Sequence, residues 1–123
     1  MYEVSVKKHF SSAHNLRGYN GKCEELHGHN WTVEVIVQSD KLDEIGIAVD
    51  FKDLKKALDE QMEKLDHKYL NDTPPFDKIN PTTENIAKFI FDEMSGRLDD
   101  RRLKVARVNV WETPGSRGSY FPG

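Results

Sequence analysis

Hydrophobic residues fall at every second position in two stretches near the start of the chain. Tyr2, Val4, Val6, Phe10 and His14 share one face over residues 2–14, and His27, His29, Trp31, Val33, Val35 and Val37 share one face over 27–38. Alternation of this kind predicts half-buried strands, the second one rich in β-branched and aromatic residues. Residues 15–26 between them hold two glycines and no period, so they read as a loop. The period then lengthens. Phe51, Leu54, Leu58, Met62 and Leu65 recur at steps of three and four, which predicts a helix capped by Asp50 and ending near Leu65. Pro74, Pro75 and Pro81 mark 71–81 as a connection. A second helix is expected from Thr82 or Thr83 to about Ser95, burying Ile86, Phe89, Ile90 and Met94, with Gly96 as its stop. Residues 103–112 return to period 2, with Ala106, Val108, Val110 and Glu112 on one face, and the tail through Tyr120 and Phe121 is compatible with a short last strand. Two strands, two helices and one or two further strands predict an α+β layer rather than βαβ winding.

Composition narrows the classes. A chain of 123 residues is expected to form one domain, 1–123, and 37% hydrophobic with 32% charged residues is a globular balance. That apolar share is modest, which favours completing the burial by association. The net charge of −3 argues against a nucleic-acid binder, whose domains carry basic patches. No apolar run approaches the roughly 20 residues that span a bilayer. Residues 1–10 lack the apolar block of a signal peptide, so a cytoplasmic location is expected. The single cysteine, Cys23, has no internal disulfide partner, in keeping with a reducing compartment.

Chemistry concentrates at a few positions. His27 and His29 are two apart on a strand, so both imidazoles leave one face about 6–7 Å apart at Cα. His14 ends the first strand on its apolar face, and a hairpin would bring it to the pair. Three neutral nitrogens with a free fourth position describe a catalytic zinc site. Cys23 lies four residues before His27; it reads either as a small buried hydrophobe or as a thiolate activated by a nearby cation. Asp66 and His67 follow the first helix, where the imidazole is either a C-terminal cap or a group polarised by its carboxylate neighbour. Glu112 continues an apolar strand face. It is either exposed beyond the strand end, or buried and in need of a donor-rich partner such as a guanine or pterin edge.

Several strings occur together in order: His-Phe-Ser-Ser-Ala-His14, Cys23-Glu-Glu-Leu-His27-Gly-His29, Leu-Asp66-His67-Lys-Tyr-Leu-Asn, Pro-Thr-Thr-Glu84-Asn and Trp-Glu112-Thr. From Val6 to Tyr120 the chain resembles the 6-pyruvoyltetrahydropterin synthase family, nearest to the bacterial 6-carboxytetrahydropterin synthase branch of the queuosine (7-deazaguanine) pathway. The resemblance implies that His14, His27 and His29 bind Zn2+, which orients and polarises the substrate's side-chain hydroxyls. It implies that Cys23 is the general base and that Asp66 and His67, from a neighbouring subunit, relay protons. It also implies that Glu112 anchors the pterin's amino-pyrimidine edge and that Thr82, Thr83 and Glu84 help line that pocket. The implied fold is the tunnelling fold, a four-stranded antiparallel sheet with two helices on one face. Three such sheets close into a barrel, and two trimers stack as a homohexamer. The implied substrate is 7,8-dihydroneopterin triphosphate. The implied products are 6-carboxytetrahydropterin, acetaldehyde and triphosphate; the alternative keeps the side chain and yields 6-pyruvoyltetrahydropterin. Arg17, Lys22, Arg107 and Arg117 are the cations available for the triphosphate.

Overall fold

In a computed structural model, residues 1–21 and 24–123 are described. The two alternating stretches form long strands, β1 (Tyr2–His14) and β2 (His27–Ser39). Helices α1 (Phe51–Leu65) and α2 (Thr83–Leu98) follow, then β3 (Leu103–Thr113) and β4 (Ser116–Tyr120). The strands form one antiparallel sheet in the order β1-β2-β3-β4, so the expected four-stranded sheet is present and the tail does make a strand. Both helices pack on the face that carries Val6, Phe10, Trp31, Val33, Val35 and Val37, and Leu54, Leu58, Ile86, Ile90 and Met94 close the core from the helix side. Among the described residues no helix is long and apolar enough to cross a membrane.

Local chemistry explains the boundaries. The Asp50 carboxylate accepts from the Lys52 amide at 2.8 Å and starts α1. Thr82 does the same for α2, accepting from the Asn85 amide at 3.1 Å. The second helix, however, does not stop at Gly96. It runs three residues past Ser95, because Arg97 reaches Glu60 of α1 at 3.1 Å and Leu98 packs against the core. Its end is Asp99, whose amide donates to Ser95 O and whose carboxylate accepts from Val105 N at 2.8 Å.

The expected face of β3 also needs correction. Opposite Ile36 and Val37 of β2 lie Arg107 and Val105, so Ala106 is an extra residue in the ladder. This bulge resets the alternation: Leu103 and Val105 face the core before it, Val108 and Val110 after it. Ala106 therefore does not share the core face of Val108. A second irregularity lies at Glu112, between the pairs Trp111–Arg117 and Thr113–Ser116.

Candidate metal centre

Strand register assembles the three histidines. In the β1–β2 pairing His14 lies opposite His27 and Ser12 opposite His29, all on the helix-covered face. His14 is almost fully buried, with 2% of its side chain exposed. Trp31, wholly buried, stacks on Phe10 and stands edge-on to both His14 and His29, with its indole N–H donating to Ser12 O at 3.1 Å. Glu112 continues the core-facing alternation of Val108 and Val110 and reaches the same place. One side-chain donor atom from each of His14, His27, His29 and Glu112 lies within 4.8 Å of the others. The sequence reading gave Glu112 a separate task and did not place it among the imidazoles. Nothing in the sequence specifies which strand neighbours β2, and that pairing is what delivers it.

Hydrogen bonds fix how the rings face. His14 Nδ1 lies 2.8 Å from Pro81 O, and His27 Nδ1 lies 2.7 Å from Glu25 O. A carbonyl oxygen only accepts, so both Nδ1 atoms carry the proton and both Nε2 atoms present lone pairs. Those two Nε2 atoms are 2.9 Å apart. Two lone pairs at that distance repel unless a positive charge lies between them. His29 Nε2 is buried and has no hydrogen bond of acceptable geometry, although Glu112 Oε1 lies 2.6 Å away. Glu112 Oε1 is also 3.6 Å from His14 Nε2 and 3.8 Å from His27 Nε2. An orphaned buried nitrogen beside two converging lone pairs and a carboxylate fits a divalent cation. Burial pushes the pKa of His14 and of His29 below the ordinary histidine value, more than Pro81 and Glu112 push them up. The neutral, ligating form is favoured in both.

Asp66 and His67 occupy a different feature. The segment after α1 turns and lies along the outer edge of β1: His67 N donates to Ser11 O at 2.6 Å and Ala13 N to Lys68 O at 3.1 Å. Asp66 Oδ1 accepts the Ser11 amide at 2.8 Å, and this bond, followed by the one from His67, holds its carboxyl below the usual range. The Ser12 hydroxyl donates to Leu65 O and accepts from Lys68 N. His67 takes a positive φ of 54°, a conformation costing a non-glycine residue about 1–2 kcal/mol. Its Nδ1 is 2.9 Å from Asp66 Oδ2, and its side chain is 84% exposed. The dyad thus faces outward from the chain.

Thr82, Thr83 and Glu84 open α2 directly after Pro81, the residue whose carbonyl meets His14. The Thr83 hydroxyl donates to Glu84 Oε1 at 2.5 Å. Cys23 and Lys22 lie outside the described residues. Of the other cations, Arg17 donates to the Asn71, Phe76 and Ile79 carbonyls, and Arg107 stacks 3.7 Å over the Phe121 ring. Arg17 is therefore occupied within the chain.

The sequence model of the 6-pyruvoyl tetrahydropterin synthase family matches residues 3–122. A 6-carboxy-5,6,7,8-tetrahydropterin synthase of Bacillus subtilis is 38% identical over 128 residues, covering 98% of this chain and 86% of that protein. A 6-pyruvoyl tetrahydrobiopterin synthase of Dictyostelium discoideum is 39% identical over 108 residues, covering 78% of this chain and 80% of that protein. The solved 6-pyruvoyl tetrahydropterin synthase of Caenorhabditis elegans superposes with a TM-score of 0.82 at 26% identity, covering 100% of this chain and 98% of that one.

Proposed function

Since the chain belongs to the 6-pyruvoyl tetrahydropterin synthase family, we propose that it is a zinc-dependent 6-carboxy-5,6,7,8-tetrahydropterin synthase. It would take 7,8-dihydroneopterin triphosphate and one water to 6-carboxytetrahydropterin, acetaldehyde and triphosphate, in queuosine biosynthesis in the cytoplasm. The observation that carries the reading is the convergence of the His14, His27 and His29 Nε2 atoms beside Glu112. Relatives of the 6-carboxy type recur, in Bacillus subtilis, Aquifex aeolicus, Haemophilus influenzae and Synechocystis, at 29–39% identity, which supports side-chain cleavage.

His14, His27 and His29 would hold zinc, which supplies Lewis-acid polarisation of the substrate's side-chain hydroxyls. Three imidazoles leave a coordination position open, as a catalytic site requires, so Glu112 is assigned to the substrate rather than to the metal. Its carboxylate, 30% exposed at the mouth of the cluster, would accept two parallel N–H bonds from the amino-pyrimidine edge. Thr82, Thr83 and Glu84 line the same approach. Cys23, four residues before His27, takes the side-chain proton as thiolate. The Asp66–His67 pair returns protons to the substrate, with Asp66 keeping the imidazole oriented.

Because the dyad faces outward, it serves the site of a neighbouring subunit. Within the described chain β1 along its N-terminal half and β4 have no strand beyond them. Pairing such edges between copies would close three sheets into a barrel, and two barrels would stack as a homohexamer. Incubation of the purified protein with 7,8-dihydroneopterin triphosphate should release acetaldehyde and triphosphate in equal amounts. Triphosphate without acetaldehyde would assign it to the pyruvoyl branch, and an unconsumed substrate would overturn both.

A further inference from the structure

Immediately after His14 the chain is laced to the 71–81 connection in an unusual way. Asn71 Oδ1 accepts from Asn15 N at 2.9 Å while Asn71 Nδ2 donates to Asn15 O at 2.8 Å. Two residues on, Asn80 repeats the arrangement: its Oδ1 accepts from Arg17 N at 3.0 Å, and its Nδ2 donates to Arg17 O at 2.9 Å. Each amide side chain therefore imitates a strand neighbour, satisfying both backbone groups of one residue. The Arg17 guanidinium closes the arrangement from outside, donating to Asn71 O at 3.1 Å, Phe76 O at 2.7 Å and Ile79 O at 3.4 Å. Asn80 O in turn accepts from Asn85 Nδ2 at 2.9 Å, tying the connection to the first turn of α2. The residue held at the centre is Pro81, buried, with no amide proton of its own, and its carbonyl takes the Nδ1 proton of His14.

We propose that Arg17, Asn71 and Asn80 form a clamp that positions His14 as a ligand by holding the Pro81 carbonyl against its Nδ1. The argument rests on the metal-centre reading but concerns a different set of residues. A carbonyl on the far nitrogen fixes tautomer and ring direction, and loss of such a partner typically weakens metal binding 10–100-fold. His27 takes its carbonyl from Glu25, two residues away in the chain. His14 takes its carbonyl from 67 residues away, so its partner needs a tertiary support that His27 does not. Arg17 and Asn80 are positioning residues in this scheme, and neither touches the imidazole.

Two readouts test the clamp. In metal-free protein, long-range imidazole 15N–1H correlation at a pH where the rings are neutral should show His14 protonated on Nδ1. In Asn80→Ala it should show both tautomers. By chelator competition, Asn80→Ala should bind zinc about 10-fold or more weakly than wild type, and the cobalt(II)-loaded variant should show altered ligand-field bands. Asn80→Asp keeps the acceptor and should fall between. Arg17→Lys, which cannot span three carbonyls, should repeat the defect more mildly should Asn80→Ala fail to fold. Lys78→Ala, an exposed change in the same connection, should match wild type. Folded variants with the wild-type tautomer, affinity and cobalt spectrum would overturn the clamp. A wild type locked on Nδ1 that binds no zinc would instead overturn the metal centre and leave the clamp standing.

Discussion

At the scale of single residues, what matters is which atom of a side chain is free. His27 and His29 offer Nε2 to the centre, so replacing either with alanine leaves two imidazoles and should abolish stoichiometric zinc. Glu112→Gln keeps the shape but not the charge. With Glu112 on the substrate side, metal analysis should find that variant fully loaded while its KM rises; a zinc-free Glu112→Gln protein would make the carboxylate a ligand. Asp66 makes a claim about pH. Its folded pKa is depressed below the ordinary aspartate value, first by the Ser11 amide and then by His67, so the group stabilises the fold above its unfolded pKa. That stabilisation disappears as pH falls through the lower folded value. Urea midpoints followed from pH 5 to pH 2 should thus drop more steeply in wild type than in Asp66→Asn, and parallel curves would remove the Ser11 bond from the account. The histidines were legible in the sequence because strand spacing alone puts 27 and 29 on one face. Their carbonyl partners were not, because every residue has a carbonyl and only the fold decides which one arrives.

Elements show where reading by period succeeds and where it breaks. Both long strands and both helices announce themselves by period, and burial follows at Val33, Val35 and Val37 on β2 and at Leu54, Leu58 and Met62 on α1, while Tyr2 and Phe51, at the first residues of β1 and α1, stay exposed. In β3 the run Ala106, Val108, Val110, Glu112 looks unbroken, yet the bulge at Ala106 means that two frames of alternation meet there. Only the partner strand reveals this, since the extra residue is extra relative to β2. The end of α2 was misplaced for a related reason: Gly96 is a weak local signal, overridden by an ion pair to α1 and by core packing of Leu98. A different glycine does constrain an element. A Cβ on Gly118 of β4 would lie 2.2 Å from Thr83 Oγ1, 2.7 Å from Thr83 Cβ and 3.1 Å from Glu84 N, so β4 can meet the start of α2 only without a side chain there. Gly118→Ala should cost about 1–3 kcal/mol, as overpacking does, and should shift the Thr82–Glu84 turn. An unchanged urea midpoint would show that the helix end yields freely.

For the whole molecule, the outward-facing Asp66–His67 dyad makes a proposal about assembly testable without a structure of the assembly. With Cys23 and His67 contributed by different subunits, Cys23→Ala and His67→Ala should each be inactive alone. Mixed and reassembled in equal amounts, they should recover activity at about a quarter of the sites, because each site draws one group from each of two chains. A mixture that stays inactive after verified exchange would place both groups in one chain. The same long hairpin has a consequence in time. His14, His27 and His29 all lie on β1 and β2, which are consecutive in sequence, while Glu112 waits for β3. A chain made from its N-terminus therefore holds the whole hairpin, residues 2–39, with its three imidazoles after about a third of its length, before either helix that will cover it exists. A two-stranded hairpin is marginal by itself in water, and a cation captured beside the 15–26 loop, where His14 faces His27, would cross-link the pair there. Cellular metal supply could then act on this protein during synthesis, as a folding aid for its first forty residues, rather than only on the finished enzyme.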